Sequence, residues 1–197
     1  MHQGLIEFVE SCDLPTEIAN FTLYAFKENP TNKEHLAIIL GNLDHKKSIL
    51  ARIHSQCLTG ESLFSLRCDC RFQLTESLKK IKSRGVGIVF YLQQEGRSIG
   101  LLNKIRAYKL QDQGYDTVEA NHKLGFKDDP RDYKIVSAMA QYLKISSIDL
   151  MTNNPNKIKA LEDNGLKVNK RIPIKTKATK YNKNYLETKA NKLGHLI

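Results

Sequence analysis

The sequence predicts a single α/β domain with a mixed sheet, in which antiparallel N-terminal strands are followed by alternating helices and strands. Three observations carry this expectation. Short apolar runs bounded by turn clusters fill the N-terminal third, helical apolar periodicity begins near residue 72, and strand-like runs alternate with helical ones from there to residue 165. A chain of 197 residues with 41% hydrophobic and 26% charged content can bury one core and is short for two.

Residues 21–26 (FTLYAF) alternate, and 35–40 (HLAIIL) and 48–53 (SILARI) are apolar runs. The clusters ENPTNKE and GNLDHKK between them read as turns, so an antiparallel meander is expected. Residues 72–83 place Leu74, Leu78 and Ile81 on one helical face, with Gly85 as the stop. Residues 86–92 (VGIVFYL) have a buried-strand pattern, and 98–113 carry Ile99, Leu102, Ile105 and Leu110 at helical spacing before Gly114. A helix over 133–143 and a strand over 148–151 (IDLM) follow. Asn154 and Pro155 make an N-cap and N1 pair for a helix that ends at Asn164 and Gly165, and a last helix is expected over 185–193. Within one domain, 1–55 is the strand region, 56–165 the α/β region that carries the chemistry, and 166–197 a basic C-terminal segment.

The net charge of +10 is unevenly placed, because residues 167–197 hold nine Lys or Arg against the single acid Glu187. Such a tail attracts polyanions or is simply a solvated basic surface; charge alone does not choose. No apolar run approaches the roughly 20 residues that span a bilayer. The start, MHQGLIEFVESCDLP, has no basic segment leading into an apolar one, so a cytoplasmic protein that does not engage a membrane is expected.

Of the four cysteines, Cys12 stands apart, whereas Cys57, Cys68 and Cys70 fall close together in CLTGESLFSLRCDC. In a reducing compartment, clustered thiols bind metal or act in catalysis more often than they form disulfides. Cys68 and Cys70 share a side if the backbone between them is extended, and Cys57 arrives from the end of the preceding strand. Thiolates suit zinc, and three of them leave one tetrahedral position for water. A closed structural site, with Cys12 or His54 as the fourth ligand, and three unrelated thiols are the competing readings.

The strings RIHSQCLTGESLFSLRCDCRFQL and QQEGRSIGLLNKIRAYKLQDQGYDTVEAN, continued through LGFKDDPRDY, TNNPNK and LETKANKLGH, closely resemble the GTP cyclohydrolase II family. The likeness runs over nearly the whole chain from about residue 20. It implies hydrolysis of GTP to a diaminopyrimidine ribosylamino phosphate with release of formate and pyrophosphate, at the start of riboflavin synthesis. It also implies zinc, magnesium with the triphosphate, a homodimer, and a monofunctional form without a fused synthase domain. Carried over position by position, it implies zinc on Cys57, Cys68 and Cys70. GTP contacts fall on Arg52, Ile53, His54, Ser55 and Gln56, on Gln73, on Glu95, Gly96 and Arg97, and on Thr117, Thr152 and Lys157. Tyr108 matches the active-site tyrosine, Asp129 the proton acceptor and Arg131 the position proposed as nucleophile. Two positions depart from the family pattern: Gln56 stands where Glu is common, and Arg71 where Gly is frequent.

The residue types suit the reaction. Carbon 8 of guanine and neutral water react poorly, and zinc acidifies a bound water. A phenol at Tyr108 donates or relays a proton, although a tyrosine in a helix is more often core. Arg52 and Arg97 can fork onto phosphate oxygens, and Lys157 lies in a helical first turn that favours anions. Glu95 or Gln73 can read the guanine edge. A guanidinium with pKa above ~12 is a poor nucleophile, so Arg131 is expected to stabilise charge, while a plain surface ion pair with Asp129 is the bland alternative. Two other functions compete, a zinc-stabilised nucleic-acid-binding protein and a GTP-binding regulator without catalysis. The absence of a recognisable nucleic-acid motif argues against the first, so no specific nucleic acid is expected as a partner.

Overall fold

The apolar runs of the N-terminal third do become strands, but they are sorted into the sheet differently from a simple meander. The computed structural model describes residues 4–44, 48–127, 129–176 and 178–196, so the GNLDHKK turn lies partly outside it. The strands are β1 (Ile6–Pro15), β2 (Asn20–Glu28), β3 (Lys33–Leu40), β4 (Ile49–Ser55), β5 (Gly87–Leu92), β6 (Ser147–Met151) and β7 (Lys167–Ile172). The helices are α1 (Leu58–Glu61), α2 (Cys70–Arg84), α3 (Leu101–Asp112), α4 (Thr117–Lys123), α5 (Lys134–Tyr142), α6 (Pro155–Glu162) and α7 (Lys183–Asn191).

The sheet runs in the order β1-β2-β3-β5-β4-β6-β7. β1/β2, β2/β3 and β3/β5 are antiparallel, and β4/β6 and β6/β7 are parallel. The mixed α/β class with antiparallel N-terminal strands therefore holds. One detail changes. β5 lies between β3 and β4, so 48–53 does not continue the meander; β6 runs parallel to β4 and β7.

Two compact units divide the chain: Met1–His54, Leu74–Gln93 and Asp132–Ile174 form one, and Ser55–Gln73, Gln94–Arg131 and Lys175–Ile197 the other. The first holds the strands up to His54 and a dense apolar core. Ile88, Phe90 and Leu92 of β5, Ile148 and Leu150 of β6, and Val136 and Met139 of α5 are fully buried. Each such side chain contributes about 1.5–3 kcal/mol by leaving water. On the opposite sheet face Ile81 is buried, with Leu74 and Leu78 packed beside it, the stripe expected for that helix. Gly87 has to be glycine, because a Cβ there would lie 2.6 Å from the Leu50 carbonyl oxygen and 2.8 Å from Ile81. Asn154 caps α6, its side chain accepting from the Asn156 amide at 3.0 Å with Pro155 in the first turn, as expected.

The second unit is built of helices and loops. α4 was not foreseen, although its signal stands in the sequence: Asp116 and Glu119 form a capping box in which each side chain accepts from the other's backbone amide. The face of α3 also differs from expectation. Leu102 and Ile105 are 75% and 49% exposed, whereas Lys104 and Ala107 are buried. The basic tail is not a uniformly solvated face, since Lys189 of α7 is buried, and Lys192, the residue after that helix, pairs with Asp116 and Glu119.

Candidate active site

Cys57 follows β4 and serves as the N-cap residue of α1, Cys68 lies in the loop after that helix, and Cys70 is the first residue of α2. The Cys-Asp-Cys segment is thus a turn into a helix and not the extended backbone under which the two cysteines would share a side. The turn still converges the sulfurs: the three Sγ atoms lie within 4.8 Å of one another, with Cys57 and Cys68 at 3.6 Å. Tetrahedral zinc with bonds of about 2.3 Å needs sulfurs about 3.8 Å apart, so the donor set fits that ion. Among the described residues neither Cys12, exposed on β1, nor His54 belongs to this cluster. Gly60 shapes the cradle, because a Cβ there would lie 2.7 Å from Cys68 Sγ and 3.1 Å from Cys57 Sγ.

The electrostatics of the cluster concentrate one negative charge. Hydrogen bonds from Cys68 and Cys70, opposed by burial and aided by Lys104, pull the Cys57 thiol far below its ordinary value. The bond to Cys57 pushes Cys68 up to about 11, and Cys70 is raised by its bonds to Cys57 and Cys68 and by burial. Lys104 Nζ donates to Cys57 Sγ at 3.1 Å and to Glu95 Oε1 at 2.7 Å. Burial works against the ammonium, but Glu95, Tyr108 and Cys57 hold its pKa above that of an ordinary lysine. Tyr108 Oη shares a hydrogen bond with Thr59 Oγ1 at 3.2 Å, and Thr59 Oγ1 lies 3.8 Å from Cys57 Sγ. Burial raises the Tyr108 phenol, which keeps its proton.

A second polar cluster sits behind the Cys-Asp-Cys turn. Asp69 Oδ1 accepts from Lys189 Nζ at 2.8 Å, and Oδ2 accepts from Gln73 Nε2 at 2.5 Å and Thr176 Oγ1 at 3.2 Å. Burial would raise the Asp69 carboxyl, yet Lys189, Gln73 and Thr176 hold it below the usual carboxylate range. Asp129 and Arg131 form a two-pronged pair, Nε to Oδ1 at 2.6 Å and Nη2 to Oδ2 at 2.5 Å, with side chains only 24% and 12% exposed. Burial pushes Asp129 up, but the guanidinium bonds outweigh it and hold the carboxyl low.

The remaining expected positions divide between the units. In the first, Arg52, Ile53 and His54 lie on β4, Thr152 follows β6, and Lys157 is in the first turn of α6. Their side chains are committed locally. Arg52 Nη1 donates to the Met151 carbonyl at 3.0 Å, and Lys157 Nζ to the Ile53 carbonyl at 2.9 Å. The His54 ring stacks on Tyr91, and Thr152 Oγ1 accepts from the Asn154 amide at 3.0 Å. In the second, Ser55 Oγ donates to Gln94 Oε1 at 3.0 Å, Gln56 is half-buried, and Thr117 opens α4. Glu95 also accepts from the Leu58 amide at 2.6 Å and the Gly96 amide at 3.0 Å. Gly96, Arg97 and Ser98 have φ of 61°, 61° and 72°, a left-handed run that non-glycine residues adopt at a cost. Arg97 Nη1 is buried without a hydrogen-bond partner among the described residues. Arg71 is accommodated by packing over the Phe64 ring at 4.2 Å.

Sequence reasoning passed over Lys104, Thr59, Asp69 and Lys189. Lys104 was hidden because the helix was read by its apolar residues alone. Asp69 was visible as the residue between two cysteines, but its partner is 120 positions away.

The model of the GTP cyclohydrolase II family matches residues 7–173. Proteins named GTP cyclohydrolase-2 are similar throughout. That of Azotobacter vinelandii is 55% identical over 98% of this chain and 92% of its own, and that of Hahella chejuensis 54% over 98% and 93%. The Tolumonas auensis protein is 53% identical over 98% of both chains. Among solved structures, RibBX, a two-domain 3,4-dihydroxy-2-butanone 4-phosphate synthase from A. baumannii, aligns with a TM-score of 0.54 at 16% identity, over 86% of this chain and 41% of that one; this is a likeness of fold.

Proposed function

The chain belongs to the GTP cyclohydrolase II enzyme family, and on that premise we propose that it is a zinc-dependent hydrolase that opens the imidazole ring of GTP. Formate and pyrophosphate leave, and a diaminopyrimidine ribosylamino phosphate enters riboflavin synthesis. The observation that carries this reading is the convergence of Cys57, Cys68 and Cys70 within 4.8 Å. Their three sulfurs would hold the zinc. Bound there, it supplies Lewis acidity and an acidified water near neutral pH.

The chain's own residues do the rest. Water adds at carbon 8, the bond to the ribose-bearing ring nitrogen breaks to leave a formamide, and a second water cleaves that amide to release formate. Tyr108 is suited to give a proton to the departing nitrogen, because its phenol stays protonated and Thr59 orients it at 3.2 Å. A third water cleaves the phosphoanhydride, with magnesium on the triphosphate. Arg97, whose Nη1 lacks a protein partner among the described residues, fits a phosphate clamp. Arg131 acts by charge: Asp129 grips its guanidinium in two bonds and is held ionised, which suits an electrostatic stabiliser better than a nucleophile. Arg52, Ile53, His54, Ser55, Gln56, Gln73, Glu95, Gly96, Thr117, Thr152 and Lys157 are the further GTP contacts in this reading. A homodimer in the cytoplasm completes it. Among the described residues no helix is long and apolar enough to cross a membrane.

The test is direct. Purified protein with GTP and Mg²⁺ yields formate together with the absorbance of the diaminopyrimidine, and Cys68→Ser abolishes both while remaining folded. GTP binding without product would favour a regulator, and RNA retention without turnover a nucleic-acid-binding protein.

A further inference from the structure

The basic C-terminal segment ends in α7, and its Lys189 is not a surface charge. The side chain is 10% exposed and its ammonium lies 2.8 Å from Asp69 Oδ1, whose own side chain is 3% exposed. Asp69 separates two of the three clustered cysteines. Its other oxygen accepts from Gln73, one turn along α2, and from Thr176. The Tyr185 ring lies 4.5 Å under the same ammonium. A buried carboxylate persists only when paired and hydrogen-bonded, so the Asp69 side chain is committed to this one cation and the two hydrogen bonds beside it. Residues that orient metal ligands from behind commonly set affinity as strongly as the ligands' own geometry.

We propose that Lys189 is a positioning residue of the thiol site: through Asp69 it fixes the Cys68-Asp69-Cys70 turn and the amide of Gln73, which makes α7 part of the active-site scaffold. This rests on the reading of Cys57, Cys68 and Cys70 as zinc ligands. The pair was invisible in the linear sequence because the tail's net charge read as a solvated or polyanion-binding face. Lys183, on the same helix, shows the contrast, being 67% exposed and 3.9 Å from Glu187.

The test measures metal binding in the full-length protein, by competition with a chromophoric chelator and by the visible spectrum of the Co²⁺-loaded form. Lys189→Met binds zinc about 10–100-fold more weakly than the native protein, and its saturated Co²⁺ spectrum changes because the sulfurs are no longer held in one arrangement. Lys183→Met removes the same charge and leaves both readouts unchanged. Native affinity in folded Lys189→Met, or an unaltered saturated spectrum, would overturn the proposal, as would an equal loss in Lys183→Met. If Lys189→Met does not fold, the doubly neutral Asp69→Asn/Lys189→Met protein takes its place; weakened zinc binding supports the proposal and native binding defeats it. If the native protein itself takes up no zinc, the ligand assignment has failed and the proposal falls with it, an outcome distinct from the others.

Discussion

The two units of this chain are stabilised in opposite ways. The sheet unit contains every member of both apolar clusters, from Phe21 and Phe26 through Leu150 and Leu161. Among the described residues of the helical unit, the buried apolar side chains are Cys57, Ile99, Ala107, Val118, Ala120 and Leu186. Buried polar and charged groups are comparably numerous there: Thr59, Asp69, Gln94, Lys104, Asn121, Asn182, Thr188 and Lys189. One unit is held by many interchangeable contacts, the other by a few directional ones that a metal would complete. The teaching is that the proposed metal site sits where apolar packing is thinnest, so on that reading function and local stability draw on the same residues.

Metal removal should separate the units most sharply. Stripping zinc abolishes formate release and raises amide exchange in Ser55–Gln73 and Gln94–Arg131, while β3, β5 and β6 keep their protection. Equal deprotection of both units would break the contrast. The converse perturbation is Phe90→Ala, at a fully buried position on β5. It costs about 3–5 kcal/mol of global stability by denaturant unfolding, with zinc affinity per folded molecule unchanged.

These outcomes bear on what could be read in the sequence. β2, β3, β4, β5 and β6 were legible because burial on a sheet face demands apolar runs. β1 and β7 were not. β1 has a register shift between Phe8 and Glu10 and pairs on one side only, and β7 (KVNKRI) has no buried residue. An edge strand need not be apolar, so it leaves little pattern. The thiol cluster was legible as a motif. Lys104 and Lys189 were not, because a buried lysine is defined by its partner and not by its neighbours in sequence.

Proton linkage gives a graded test of the metal site. With Cys57 ionised, Cys68 near pKa 11 and Cys70 also raised, two of the three thiols carry protons at neutral pH. Zinc must displace them, so its apparent affinity rises with pH between pH 6 and 8. Chelator competition across that range measures the slope; a flat profile would mean that the sulfurs are not the ligands. The smallest effect belongs to the sheet unit again. Asn154→Ala removes the cap on α6 and costs about 1 kcal/mol, visible as a lower denaturation midpoint.

The most direct measurement titrates zinc into metal-free protein while formate release from GTP is followed. The account predicts a rate that rises in proportion to added zinc and levels off at one ion per chain, with Cys57→Ser, Cys68→Ser and Cys70→Ser each silent at every concentration. Full turnover in the zinc-free protein, or in any one of those variants, would contradict it.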